Sequence, residues 1–285
     1  MANVKNVSES VIKGLDFCFY KLIPSLYPFM VLSSTMLYTT RISGSFRILN
    51  FILDNCKIYA DEIIMGCICG FVIGAKGICN KFNKGVSIND FNRGIFFSSN
   101  AGIGFVIGCI GCSVFNDVTF GIYLYVVQIL SGYILFKITF DGRKNILFYN
   151  ENFQKNNVSD VLVKSIKSST NTILTICGFS VFFSIIIDLI TSIFQSNSNL
   201  IIVIVTILLD FSKGVFTILN VLNLELRGVL AGFCIGFGGV CVYMQICSEC
   251  EGYPFKKLKF ILLKFCQGVM CGAFSLLYFE FFKFF

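Results

Sequence analysis

The residues best placed to do chemistry in this chain are a few polar and ionisable groups set inside long apolar stretches. Ser99-Asn100-Ala101-Gly102-Ile103-Gly104 interrupts one apolar run, Asp210, Ser212 and Lys213 interrupt another, and Lys76 lies in a glycine-rich segment that begins at Gly66. A charge deep in lipid costs about 3 kcal/mol on insertion scales, so such a group faces a cavity or a partner. Serine, asparagine and glycine in close succession predict a broken helix at 98–104. The free N–H groups of a half-helix form a positive pole suited to a carboxylate, and Asn100 adds a donor and an acceptor. Asp210 and Lys213, three residues apart, are expected to pair on one helix face. In this reading Lys76 and Lys213 attract an anion, while Asp210 holds Lys213 or takes a coupling cation. The plainer reading stays open beside it: Lys76 snorkels to the interface, and Asn100 bonds to a neighbouring helix. Asp188, Lys137 and Glu225 are further pore candidates, although the last two lie near segment ends.

No catalytic constellation accompanies these groups. The chain has no histidine, no glycine-rich nucleotide loop followed by Lys-Ser/Thr, and no nucleophile elbow, so an enzyme is not expected. Its 14 cysteines sit mostly in apolar segments, where cysteine behaves as a small hydrophobe. Cys109/Cys112 and Cys247/Cys250 have CxxC spacing, but without histidine a zinc site would need Cys or carboxylate ligands throughout. Neither metal nor cofactor is expected.

The elements that must position these residues are membrane helices. Hydrophobic residues make up 55% of the chain, charged residues only 14%, and the mean hydropathy is +0.79, a balance no soluble core could hide. Apolar runs at about 15–38, 62–79, 95–115, 120–140, 171–194, 200–222, 228–247 and 260–284 predict seven or eight crossings. Lys5 and Lys13 precede the first run, Lys21 interrupts it and no small-residue cleavage site follows, so it reads as a retained segment. Residues Phe46–Ala60 suit an interfacial helix. The net charge of +7 is spread in short runs between apolar segments, which points to lipid headgroups and topology rather than nucleic acid. Lys81, Lys84 and Arg93, with Arg143, Lys144, Lys155, Lys164 and Lys167, nominate one cytoplasmic side. Eight crossings would put Lys256, Lys257 and Lys259 on the opposite side. A re-entrant segment would restore the parity, and 95–115 is the first candidate for one.

A self-match suggests two related halves. Gly66 to Cys79 recurs as Gly228 to Cys241 with seven identical positions and one Ile/Val pair, and Phe29, Val31 and Ser34 match Phe179, Val181 and Ser184. The expected organisation is a first membrane half at 1–140, a polar linker at 141–167 and a second membrane half at 168–285. The fold class is therefore an all-α polytopic bundle of two related halves with broken or re-entrant helices. Duplicated bundles rocking about a shared midplane site are the common architecture of secondary transporters.

In order along the chain, several motifs resemble those of the sporulation integral membrane protein YlbJ (SpoVV) family, within the nucleoside-recognition Gate domain group. Pro24-Ser25-Leu26-Tyr27-Pro28-Phe29 is similar to the family's Pro-Ser-Leu-x-Pro-Phe, and Gly70-Phe71-Val72-Ile73-Gly74-Ala75-Lys76 to its Gly-Tyr-Pro-x-Gly-Ala-Lys. Ser99 to Phe105 resembles Ser-Asn-Ala-Gly-Pro-x-Phe, and Asp210-Phe211-Ser212-Lys213-Gly214 resembles Glu-x-Thr/Ser-x-Gly. Gly238-Gly239 with Val242 and Gln245 is similar to the later Gly-Gly-x-x-Val-x-x-Gln stretch. Val72 and Ile103 replace family prolines, and Asp210 shortens the family glutamate. The resemblance implies export of dipicolinate, a planar pyridine dicarboxylate, across the outer forespore membrane during endospore formation. It implies Lys76, Ser99, Asn100, Gly102, Asp210, Ser212 and Lys213 as substrate-binding residues. Two rivals remain: a nucleoside or other metabolite carrier, and a non-transporting assembly factor of the spore envelope.

Overall fold

A computed structural model of the chain describes residues 2–39, 59–82, 87–139, 157–194 and 199–282. The described residues form helices and short connections, with no strand among them. Five helical stretches, Val7–Met36, Val118–Ile138, Ser159–Ser192, Leu224–Glu249 and Lys257–Phe281, are long and apolar enough to cross a membrane. The protein is an all-α integral membrane bundle.

Both halves present the same four parts in the same order. The first opens with a long rod, α1 (Ala2–Phe17) and α2 (Ile23–Thr39), joined without a break by a π-helical turn at Cys18–Leu22. Then come α3 (Ala60–Cys69) and α4 (Phe71–Phe82), next α5 (Ile88–Ser98) followed by the π-helical segment Gly104–Phe115, and finally α6 (Val118–Ile138). The second half has the long rod α7 (Val158–Phe194), then α8 (Asn199–Leu209) and α9 (Phe211–Thr217). It ends with α10 (Leu224–Phe237), α11 (Gly239–Glu249) and α12 (Lys257–Phe282). Side-chain caps set several of these starts: Ser87 accepts from Asp90 N, Asp117 from Phe120 N, and Asn223 from Leu226 N.

The second part of each half is a re-entrant hairpin. Gly70, at φ 111°, turns α3 back on α4 in a conformation that only glycine adopts freely. A Cβ added at Gly74 would lie 2.8 Å from Gly66 Cα, and one at Gly77 would lie 2.6 Å from Glu62 Cγ. In a single helix those partners would be at least two turns apart, so the arms run antiparallel. Lys81 Nζ and Glu62 Oε1, 2.7 Å apart, tie their outer ends. In the other half the turn is at Asp210, and a Cβ on Gly214 would lie 2.8 Å from Ile207 Cα. Arms of 10 and 12 residues reach about 15–18 Å at 1.5 Å per residue, half of a hydrocarbon core about 30 Å thick.

Among the described residues each half therefore has three crossings, and an odd number turns the second half upside down relative to the first. The packing of equivalent helices agrees with this inversion. Tyr278 Oη donates to Asp117 Oδ2 (2.9 Å), Tyr123 Oη to Phe274 O (2.6 Å) and Gln267 Nε2 to Gln128 O (3.0 Å), so α6 and α12 run antiparallel. The rods do likewise: Gly14 faces Val181 and Ser184, Cys18 Sγ donates to Cys177 O at 3.7 Å, and Tyr27 Oη lies 3.0 Å from Thr170 Oγ1.

Among the described residues, six crossings (the five long apolar stretches and the interrupted segment 88–115) and two hairpins stand where seven or eight crossings are expected, because two apolar runs enter and leave by the same face. The re-entrant segments are 60–82 and 199–217, whereas 95–115 belongs to an interrupted crossing. Among the described residues this arrangement brings the basic segments around Arg93, Lys137 and Lys256 together. Asn92 Nδ2 donates to Pro254 O (3.0 Å), Lys256 N donates to Asn92 Oδ1 (2.6 Å), and Arg93 Nη2 donates to Phe136 O (3.1 Å). Lys81, Arg93, Lys137, Lys256, Lys257 and Lys259 accordingly share one face.

The glycine self-match does not mark the structural repeat. It pairs the hairpin α3–α4 with the interrupted crossing α10–α11, and Gly232, the match of Gly70, lies inside α10. The parts that correspond are the turns at Gly70 and Asp210, and the breaks at 99–102 and 238–239. Both matched segments need glycine for the same packing reason. Gly66 and Gly74 sit on the backbone of Ser98, while Gly232 and Gly236 sit on the backbones of Cys271 and Gly268 in α12. Two further expectations meet the described residues only in part. Residues 46–58 of the interfacial helix and 141–156 of the linker lie outside them, and 158–167 form the opening turns of α7.

Candidate functional site

The two hairpin tips and the two interrupted crossings converge at the centre of the bundle. Phe71 and Phe211, each the first residue after its hairpin turn, meet edge to face with centroids 5.3 Å apart. Phe105, just past the first break, lies 4.8 Å from Phe211. Glycines allow the breaks to receive the tips. A Cβ at Gly102 would lie 2.9 Å from the Cys69 carbonyl carbon, and one at Gly238 would lie 3.1 Å from the Phe71 ring. Gly238 and Gly239 both hold positive φ, 79° and 76°, where a side chain would be strained.

Beside these rings opens a cleft, about 500 Å³ with its open mouth included, lined from both halves, by Gly70 to Ile73, Gly102 and Phe105 from one and by Ser212, Val242 and Gln245 from the other. The first turn of α4, residues 71–73, borders it, so backbone N–H groups without helical acceptors stand at its wall. The polar side chains of the wall are Ser212 and Gln245, and no charged side chain lines it.

Behind Phe71 lies a buried polar cluster. Lys264 of α12 is 2% exposed. Its ammonium donates to Ser99 O, to Gln267 Oε1 (2.8 Å) and to Asn100 Oδ1 (3.4 Å), and sits 4.9 Å from the Phe96 ring centroid. Gln267 Nε2 donates to Asn100 Oδ1 (2.9 Å), and Gln128 Nε2 donates to Ala101 O (3.2 Å). The first break is therefore held by an amine and two amides from the closing helices of both halves. Gln128 and Gln267 occupy the same place in their helices, each being the eleventh residue.

The predicted site residues divide into three groups. Gly102 and Ser212 line the cleft. Ser99 and Asn100 are fully buried in the break behind it, where Asn100 Nδ2 donates to Phe97 O (2.7 Å). Asp210 is also buried, but as the cap of α9: Oδ1 accepts from Ser212 N (2.9 Å) and Oδ2 from Ser180 Oγ (3.0 Å). The expected ion pair of Asp210 with Lys213 is not made among the described residues. Asp210 is extended at the hairpin tip rather than helical, so the spacing of three no longer puts both on one face. Lys213 is half-buried, 5.9 Å from the Phe17 ring centroid, and Lys76 donates to Thr172 Oγ1 (3.1 Å) on α7. Neither lysine lines the cleft.

Sequence reasoning passed over Lys264, Gln267 and Gln128, and named Gln245 only within a motif resemblance. The signal for Lys264 was present, since it lies five residues beyond Lys259 and inside the apolar run 260–284. The glutamines carry no charge and stand out only once the helices are packed.

Comparison of the chain with protein-family models, curated proteins and solved structures finds no match.

Proposed function

We propose that the protein transports a small anionic solute across the membrane through the central cleft. The observation that carries the reading is the convergence of two inverted hairpin tips and two interrupted crossings on one cavity walled by both halves. Tips that reach only half-way through the bilayer from opposite faces are suited to act as two gates. Inverted halves also give the bundle two conformations of similar energy, one open to each side.

An anion is favoured by the polar groups that face the cavity and its back wall. The first N–H groups of α4 border the cleft, and the Lys264 ammonium stands behind Phe71, 6.0 Å from its centroid. An aromatic solute is favoured by the rings of Phe71, Phe105 and Phe211, which offer both faces and edges for stacking. Dipicolinate, the solute implied by the family resemblance, unites these features: a flat ring with two carboxylates. In that case the bilayer is the outer forespore membrane, and Asp210, Asn100 and Ser99 shape the site by holding the tip and the break.

A second reading, a nucleoside carrier, draws on one observation. The cleft wall carries no charged side chain, and Gln245 and Ser212 are the groups that recognise neutral, hydrogen-bonding solutes. Uptake of labelled dipicolinate and labelled uridine into vesicles containing the purified protein separates the two. Saturable dipicolinate uptake that falls on Phe211→Ala or Gln245→Ala supports the first reading, and uridine uptake with the same sensitivity supports the second. Uptake of neither solute would overturn both.

A further inference from the structure

The break between α5 and the π-helical segment Gly104–Phe115 ends in carbonyl oxygens that have lost their helical donors. Ser99 is the last residue of α5's hydrogen-bonded turn, and its own carbonyl points at Lys264. The C-terminal end of a half-helix is the negative pole of its dipole. In interrupted membrane helices such carbonyls, together with side-chain oxygens, form the shell of a bound monovalent cation. Here the oxygen set exists: Ser99 O, Asn100 Oδ1 and Gln267 Oε1 converge from the break and from α12. What stands at their focus is the ammonium of Lys264.

Three donors of one ammonium meet three oxygen acceptors, so its hydrogen-bonding capacity is filled. Among the described residues no carboxylate lies within ion-pair distance of it. Its charge is stabilised by carbonyl and amide dipoles, as an alkali-metal ion is in an interrupted membrane helix, and also by the Phe96 and Phe260 rings, at 4.9 and 6.0 Å. The neighbouring amides add to the case. Gln267 Nε2 fixes Asn100 Oδ1 from the other side, at 2.9 Å, and so aims that oxygen at the same centre.

We infer that the Lys264 ammonium is a built-in substitute for a bound alkali-metal ion at the first break, so that the protein closes this site without sodium. The tethered charge keeps the break in its unwound form and supports Phe71 against Phe211. Lys264 acts here as a positioning residue through the backbone at 99–100, and it touches no solute. The inference uses the site of the proposed transport function, but not the identity of the solute.

The test is thermal unfolding of the purified protein in sodium, potassium or choline chloride at equal ionic strength. The wild type is expected to unfold at the same temperature in all three. Lys264→Ala, which empties the cage, is expected to lose several degrees in choline and to regain most of them, saturably, in sodium. Adding Asn100→Ala to that variant should abolish the recovery. A Lys264→Ala protein indifferent to sodium and potassium would overturn the inference, as would a saturable sodium stabilisation of the wild type. The wild-type comparison stands by itself if Lys264→Ala fails to fold. Because no solute enters the measurement, its failure would leave the transport reading intact, and the vesicle assay could fail without touching this one.

Discussion

Replacing Gly66 by alanine tests the hairpin on which the central cleft depends. In the interior of an ordinary helix the change from glycine to alanine is favourable by about 0.8–1 kcal/mol, because alanine loses less backbone entropy. At Gly66 the added Cβ would stand 2.1 Å from Ser98 O, 2.8 Å from Ser98 C and 2.9 Å from Ser98 Cβ. These atoms belong to a buried backbone turn at the break, which cannot swing aside as a flexible side chain does. Overpacking of this kind costs about 1–3 kcal/mol, and contact with backbone places Gly66 at the upper end. The net expectation is a loss of about 2 kcal/mol, or roughly 4–8 °C in apparent melting temperature at 2–4 °C per kcal/mol. Gly178→Ala is the control: it lies inside α7 with nothing within 4 Å of the new Cβ, and it should leave the protein unchanged or more stable. Thermal unfolding of both variants in one detergent reads the sign of each. If Gly66→Ala were stabilising to the same degree as Gly178→Ala, α3 would not lie against Ser98, and the hairpin would have to be abandoned in favour of a plain crossing.

Other consequences can be measured in the same preparations. With six crossings and a basic side facing the cytoplasm, a protease site inserted at 252 or within 140–156 should be cut from the cytoplasmic face. One inserted at 116 or within 195–198 should be cut from the other face. Because Phe71 and Phe211 touch edge to face, the pair Phe71→Ala and Phe211→Ala should be non-additive by about 0.5–1.5 kcal/mol in a double-mutant cycle of unfolding. Asp210→Ala should cost about 0.5–2 kcal/mol for the lost cap and leave Ser180 Oγ without its carboxylate acceptor. Asp210→Asn, which retains an acceptor oxygen, should cost less.

The class of the fold was legible because lipid imposes length and composition on a helix whatever it packs against. The broken helix at 98–104 was legible for a related reason, since serine, asparagine and adjacent glycines disfavour a continuous helix wherever they fall. The residues at the second turn were noticed too, but their arrangement was misjudged. A spacing of three predicts a shared face only if both residues are helical, and Asp210 is the extended cap that starts the helix. Lys76 and Lys213 were read as lining the path because charge in an apolar run draws the eye. Their directions depend on which helix lies alongside, and α7 and Phe17 take them away from the cleft.

By itself the sequence determined that this is a helical membrane protein with polar interruptions, because hydropathy and backbone preference act locally. Only the tertiary structure decided that two apolar runs are half-length hairpins, that the halves are inverted, and that Lys264 stands at the first break. Those outcomes depend on long-range contacts: Gly74 against Gly66 across a turn, α6 against α12, and an ammonium meeting carbonyls some 165 residues away in the chain. A run of apolar residues has the same transfer energy whether it crosses the bilayer or folds back within it. Close packing at glycine, and the oxygens waiting at a helix break, choose between the two.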